Sequence, residues 1–216
     1  MKDASARPAV IFDLDGTLLD SLPLVLAAIR HAIEPFGGTA TMDLFANLGG
    51  PPEKFLGPLV GGEANLPEAM ARMYSFHREH HELIRPYPGA VETVTALREQ
   101  GRDVAVWTGR DRRSTRDLAR RWGLEERLGA LVCGDDFSTH KPHPDGLREI
   151  LRRLGRAPAE CVMVGDADVD VLGAHACAVD AVVIRHQRIL PAEIAEKSWR
   201  VVGTPAEAYS TVLGRS

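Results

Sequence analysis

Six short apolar runs recur along the chain: AVIF (9–12), VAVW (104–107), ALVC (130–133), CVMV (161–164), AVVI (181–184) and WRVV (199–202). They are rich in β-branched residues and lack polar alternation, as strands do when both faces of their sheet are covered. Between them the spacing changes. Leu147, Ile150, Leu151 and Leu154 fall at i, i+3, i+4 and i+7 and are followed by Gly155 and Pro158, which predicts a helix with a glycine stop. Ser114 is expected to cap another helix, which carries Leu118, Ala119 and Trp122 and ends at Gly123. Strand and helix in alternation predict an α/β fold built on a Rossmann-like parallel sheet.

Residues 22–87 break this rhythm. Leu22, Leu26, Ile29 and Ile33 share one helical face, Met70, Met73, His77, His81 and Ile84 another, and the loop-rich GGPPEKFLGPLVGGE lies between. The block contains no convincing strand. It reads as a small helical module inserted after the first strand, with the chain returning through RPYPGA. The expected division is an α/β core from 1–21 and 88–216 and a helical insertion from 22–87. With 216 residues the chain has room for one sizeable core and such a module.

A net charge of −4 gives no global attraction to nucleic acid or to an anionic membrane. The start MKDASARPAV lacks an apolar signal core, and no run approaches the ~18 residues of a membrane span. The expectation is a cytoplasmic protein, monomeric or a small homo-oligomer, with neither nucleic acid nor membrane as partner. Cys133, Cys161 and Cys177 are odd in number and form no CxxC pair, so they read as buried reduced thiols.

In an open parallel sheet, ligands bind at the carboxyl ends of the strands. Applied here, that rule gathers Asp13 and Asp15 of VIFDLDGTLLDS, Thr108 of VAVWTGR, Lys141 of THKPHPDG, and Asp166 and Asp170 of CVMVGDADVD. Carboxylates held this close repel one another unless a cation intervenes, and oxygen ligands suit Mg²⁺. The set looks built for a small-molecule phosphate ester: one carboxylate to attack phosphorus, a second to move a proton, a metal and a lysine to offset charge.

These motifs are similar, in order, to the four motifs of the haloacid dehalogenase-type phosphohydrolase superfamily, over about residues 9–208. The resemblance implies Asp13 as nucleophile and Asp15 as acid/base. It implies Thr108 and Lys141, with Gly109 and Arg110 beside them, around the phosphoryl group, and Mg²⁺ held by Asp13, the Asp15 carbonyl and Asp166, with Asp170 supporting or completing the shell. The insertion resembles the helical cap of such enzymes. DSLPLVL and KPHPDGL resemble the phosphoglycolate-phosphatase-like branch, whereas Gly109 and Arg110 stand where those relatives commonly carry Asn or Ser after the threonine.

The function this implies is a Mg²⁺-dependent phosphatase that hydrolyses a small phosphomonoester, phosphoglycolate-like or a sugar phosphate, through an aspartyl phosphate. Substrate choice is expected near residues 47–55. A sugar-phosphate phosphomutase is the first alternative, disfavoured by Val25 where such relatives carry a histidine. A non-catalytic phosphate-ligand module is the second. Three other features read as structural: Asp168 as a solvated helix start, the His77, His80 and His81 cluster as packing or solvation, and the arginines of RDRRSTRDLARRW as a solvated face, with the exception of Arg110, whose place after Thr108 lets it reach the substrate.

Overall fold

The computed structural model describes residues 6–39 and 53–215, with the backbone alone for 53–55. The segment 47–52, part of the stretch expected to select substrate, lies outside the described residues. The strands in chain order are β1 (Ala9–Phe12), β2 (Leu19–Asp20), β3 (Arg85–Pro86), β4 (Asp103–Trp107), β5 (Ala130–Val132), β6 (Cys161–Gly165), β7 (Asp180–Ile184) and β8 (Arg200–Val202). Six of them form one parallel sheet in the order β5-β4-β1-β6-β7-β8. All six apolar runs lie on these strands, although β5 ends before Cys133 and β8 begins after Trp199.

The strands alternate their side chains between two covered faces. Ile11, Ala105, Trp107 and Met163 belong to a core shared with Leu147, Ile150, Val171 and Ala174. Those last four residues come from α6 (Asp145–Leu154) and α7 (Asp168–Ala176). Val10, Phe12, Val104 and Val106, the alternate residues of β1 and β4, are equally buried. Helices α4 (Ala90–Glu99) and α9 (Pro205–Leu213) pack on each other, with α4 also against β4 and α9 against β7.

β1 sits between β4 and β6 with Ala9 opposite both Asp103 and Cys161. From β1 the chain moves outward through β4 and β5, then comes back to the other side of β1 for β6 to β8. The loops after β1, β4 and β6 therefore leave from the place where the strand order reverses, which is where a crevice opens in such sheets.

The chain divides into two compact units, one of Met1–Asp20 with Pro86–Ser216 and one of Ser21–Arg85. The second contains α1 (Leu22–Ile33), α2 (Glu53–Leu59) and α3 (Leu66–Glu79). Its own core includes Ile29, Ile33, Leu56, Val60, Ala69 and Met73. His80 stacks on Phe76 with ring centroids 3.8 Å apart, and His77 meets His81 edge-on. The block expected to be strandless does supply a short strand, because Arg85 and Pro86 of β3 pair with β2 in a separate two-stranded sheet.

One cap differs from expectation. Helix α5 (Arg112–Arg121) starts earlier than predicted, and Asp111 rather than Ser114 is its N-cap. Asp111 Oδ1 accepts from Ser114 N–H at 2.9 Å, and the Ser114 hydroxyl returns a bond to the same carboxylate. An anionic cap also faces the positive end of the helix dipole, which favours aspartate over serine there.

Candidate active site

Asp13 follows β1 and remains in the ladder, its N–H donating to Val164 O at 2.8 Å. Leu14 turns into the protein and is fully buried, while Asp13 and Asp15 on either side carry the polar chemistry. Gly16 then reverses the chain at φ +81°, and a β-carbon on it would lie 2.4 Å from Asp166 Oδ2. Glycine is therefore required twice here, for the left-handed backbone and for the approach of Asp166. Thr17 Oγ1 donates to Asp166 Oδ1 at 3.4 Å, and the carbonyl of Thr17 accepts from the Tyr209 hydroxyl at 2.6 Å.

Lys141, from the loop before α6, reaches back between two carboxylates. Its Nζ donates to Asp13 Oδ1 at 2.6 Å and to Asp170 Oδ1 at 2.7 Å, and it lies 4.9 Å from the centre of the Trp107 ring. The other oxygen of Asp170 accepts from Ala167 N–H at 3.0 Å. Asp170 is thus engaged on both oxygens, and Gly165 leaves it room, since a β-carbon there would be 2.3 Å from Asp170 Oδ2.

Thr108 closes β4 on the other side of Asp13 and is buried. Its Oγ1 accepts from Arg110 N–H at 3.1 Å, which turns the hydroxyl hydrogen toward another acceptor. Gly109 is bare in a real sense, because a β-carbon on it would meet nothing within 4 Å. The Arg110 guanidinium crosses to Asp15, with Nε 2.9 Å from Oδ2 and Nη2 2.7 Å from Oδ1. Burial works against the charge on this arginine, and Asp15 more than offsets it.

One carboxylate oxygen from each of Asp13, Asp166 and Asp170 lies within 4.8 Å of the other two. Burial pushes Asp13 well above the usual carboxylate range; Lys141 pulls it back only in part, while Asp170 and Asp166 push it further up. Asp166 is raised to about 6 by burial and then by Asp170. Lys141 is buried too, yet Asp13 and Asp170 keep it charged. One ammonium facing three carboxylates leaves a negative excess, and the cluster offers hard oxygen donors with no thiolate or imidazole among them. That donor set fits Mg²⁺. Asp13 and Asp166 are the more available ligands, because both oxygens of Asp170 already have partners.

Residues 10–184 match the family model for haloacid dehalogenase-like hydrolases. The chain belongs to that family. This hydrolase is 32% identical over 183 residues to pyrophosphatase PpaX of Halalkalibacterium halodurans, covering 81% of this chain and 82% of that one. It is 30% identical over 178 residues to pyrophosphatase PpaX of Bacillus cereus, covering 76% of each. A solved HAD-superfamily hydrolase of subfamily IA from Geobacter sulfurreducens shares the fold at a TM-score of 0.78 and 24% identity, covering 98% of this chain and 99% of that one.

The structure brings Asp13, Lys141, Asp166 and Asp170 into one cluster and joins Asp15 to Arg110. The half-exposed Asp168 pairs with Arg188 at 3.1 Å. Three residues of this hydrolase that touch the candidate site escaped the sequence reading. Trp107 lies under Lys141. His186 Nε2 donates to the Gly16 carbonyl at 2.8 Å from a left-handed backbone, φ 49°, and Arg188 Nη2 donates to the Asp166 carbonyl at 2.7 Å. The last two follow β7, so the rule that sites form at strand carboxyl ends would have found them had it been carried one strand further.

Proposed function

We propose that the chain is a Mg²⁺-dependent phosphatase that cleaves small phosphate esters through a phosphoryl group carried on Asp13. The observation that carries this reading is Lys141 Nζ bridging Asp13 and Asp170 inside a buried carboxylate cluster. A buried nucleophile needs its charge, which Lys141 offsets in part, and the negative excess that remains leaves a place for the metal.

In this reading Asp13 attacks phosphorus while Thr108 donates its free hydroxyl hydrogen and Lys141 its ammonium to the phosphoryl oxygens. Gly109 leaves room for those oxygens near the backbone. Asp15 protonates the departing oxygen and then takes the proton of the water that releases phosphate from Asp13. Asp13, Asp166 and the Asp15 carbonyl hold Mg²⁺, which when bound supplies positive charge to the transferring group. Residues 22–87 act as a cap that selects the substrate, with phosphoglycolate as the leading phosphomonoester. A second reading, inorganic pyrophosphate, is favoured by the names of the relatives at 30–32% identity.

The deciding experiment measures phosphate release from a panel of small phosphomonoesters and pyrophosphate with Mg²⁺, using Asp13→Asn as the blank. Turnover of at least one member above the blank, abolished by EDTA and restored by Mg²⁺, is expected. Binding without turnover across the panel would overturn the reading in favour of a non-catalytic module.

A further inference from the structure

Arg110 is a second buried cation besides Lys141, and its guanidinium pairs with a carboxylate. Its side chain is 9% exposed, and both arms of its fork point at Asp15, whose own side chain is 30% exposed. The backbone from which it starts is pinned on both sides. Arg110 N–H donates to Thr108 Oγ1 at 3.1 Å, and Arg110 O accepts from Gly134 N–H at 2.8 Å. Gly134 must be a glycine for that approach, since a β-carbon there would fall 2.0 Å from the Gly109 carbonyl oxygen. The next residue, Asp111, anchors α5 as its cap. A rigid backbone and a planar fork therefore fix the plane of one carboxylate.

We infer that Arg110 is a positioning residue for Asp15, and not a ligand of the transferring phosphoryl group. The inference rests on the proposed role of Asp15 as proton donor. An ionised carboxylate has about four acceptor sites, of which a bidentate arginine takes two. The outer sites stay available for the proton that Asp15 delivers and later collects. Asp15 would otherwise be a partly exposed side chain with two free torsions, and proton transfer falls steeply when donor and leaving oxygen lose their alignment. Lysine cannot replace the fork, because a single ammonium fixes a distance but no plane.

The test is a double-mutant cycle of Arg110→Lys and Asp15→Asn, measured as kcat/KM with Mg²⁺ on p-nitrophenyl phosphate, phenyl phosphate and ethyl phosphate. Along this series the leaving oxygen needs a proton more and more. Asp15→Asn should cost little on p-nitrophenyl phosphate and on the order of 100-fold on ethyl phosphate, in line with the usual contribution of a general acid. Arg110→Lys should steepen the series in the same direction, by about tenfold at its basic end, and should cost nothing further once Asp15 is Asn. Arg110→Gln repeats the cycle without the charge and should behave alike.

Equal losses on all three esters, or a further loss from Arg110→Lys in the Asp15→Asn background, would make Arg110 a phosphoryl ligand and overturn the inference. If Asp15→Asn leaves the series flat, the proton-donor role itself fails and the inference falls with it. If Asp15→Asn steepens the series and Arg110→Lys does not, only the inference falls.

Discussion

Gly16 has no room for a β-carbon. Gly16→Ala would place a methyl group where the Asp166 carboxylate now lies and would put a non-glycine residue at φ +81°. The backbone alone costs about 1–2 kcal/mol, and Asp166 must also move. Because Asp166 is a proposed Mg²⁺ ligand, the variant should bind the metal at least about tenfold more weakly, the equivalent of ~1.4 kcal/mol, in a calorimetric titration, with a parallel loss of kcat/KM. Unchanged metal affinity would count against Asp166 as a ligand. That a turn was needed after Asp13 and Asp15 could be read from DLDGT, since glycine after two carboxylates is a local signal. Its second purpose could not, because the neighbour it admits is 150 residues away and no local rule encodes that approach. The same limit hid the target of Arg110. Its place after Thr108 showed that it could reach the site, but its choice of Asp15 depends on how β1 and β4 align.

At the scale of elements, α6 and α7 converge on one side chain. A β-carbon on Gly146 would lie 2.4 Å from the Trp107 indole nitrogen, and one on Gly173 would lie 2.5 Å from the far edge of the ring. Trp107 is thus clamped between two helices at glycine positions, and its ring supports Lys141 from below. Gly173→Ala should overpack this contact by about 1–3 kcal/mol. A chain of this size loses about 2–4 °C of Tm per kcal/mol, so a fall of several degrees is expected by calorimetry, accompanied by reduced turnover as Lys141 shifts. A second tie runs from α9. The buried Tyr209 hydroxyl holds the Thr17 carbonyl at 2.6 Å, and Tyr209→Phe strands that carbonyl at a cost of about 1–3 kcal/mol. Strands and helices were legible because their periodicities differ and each apolar run is short. Boundaries were less so: the α5 cap moved to Asp111 because two good capping residues stand three apart and sequence alone does not rank them.

For the molecule as a whole, the site is a local departure from the balance that stabilises the rest. The helical block between β2 and β3 was legible as an interruption of the strand rhythm, and its compactness as a separate unit follows from its own apolar faces. The electrostatic cost of the site was legible only as a cluster of acids, since burial is a property of the folded sheet. Asp166, raised to about 6 against an ordinary value of 3.8, binds its proton more tightly in the folded protein than in the unfolded one. Between roughly pH 4 and 6 the native state therefore holds more protons, and the slope of stability with pH from this group is negative. The metal-free protein should lose stability as pH rises through that window, and Asp166→Asn should flatten the curve, as read by denaturant unfolding in EDTA.

Neutralising the proposed nucleophile separates function from stability across the whole fold. Asp13 is buried beside Asp166 and Asp170 with a single ammonium to share, so ionising it opposes folding whenever no divalent cation is present. Asp13→Asn keeps the shape and removes one of the repelling charges. The metal-free variant should therefore melt at a higher temperature than the metal-free wild type, while showing no turnover. Saturating Mg²⁺ should reverse the order. A ligand that binds only the native state adds about 2.7 kcal/mol at one hundred times its dissociation constant, and the wild type should gain that increment while Asp13→Asn gains little. The measurement is a pair of melting curves for each protein, in EDTA and in Mg²⁺. A variant less stable than the wild type in EDTA would show that the Asp13 to Lys141 bond outweighs the repulsion, and an equal Mg²⁺ shift in both would remove Asp13 from the proposed metal site.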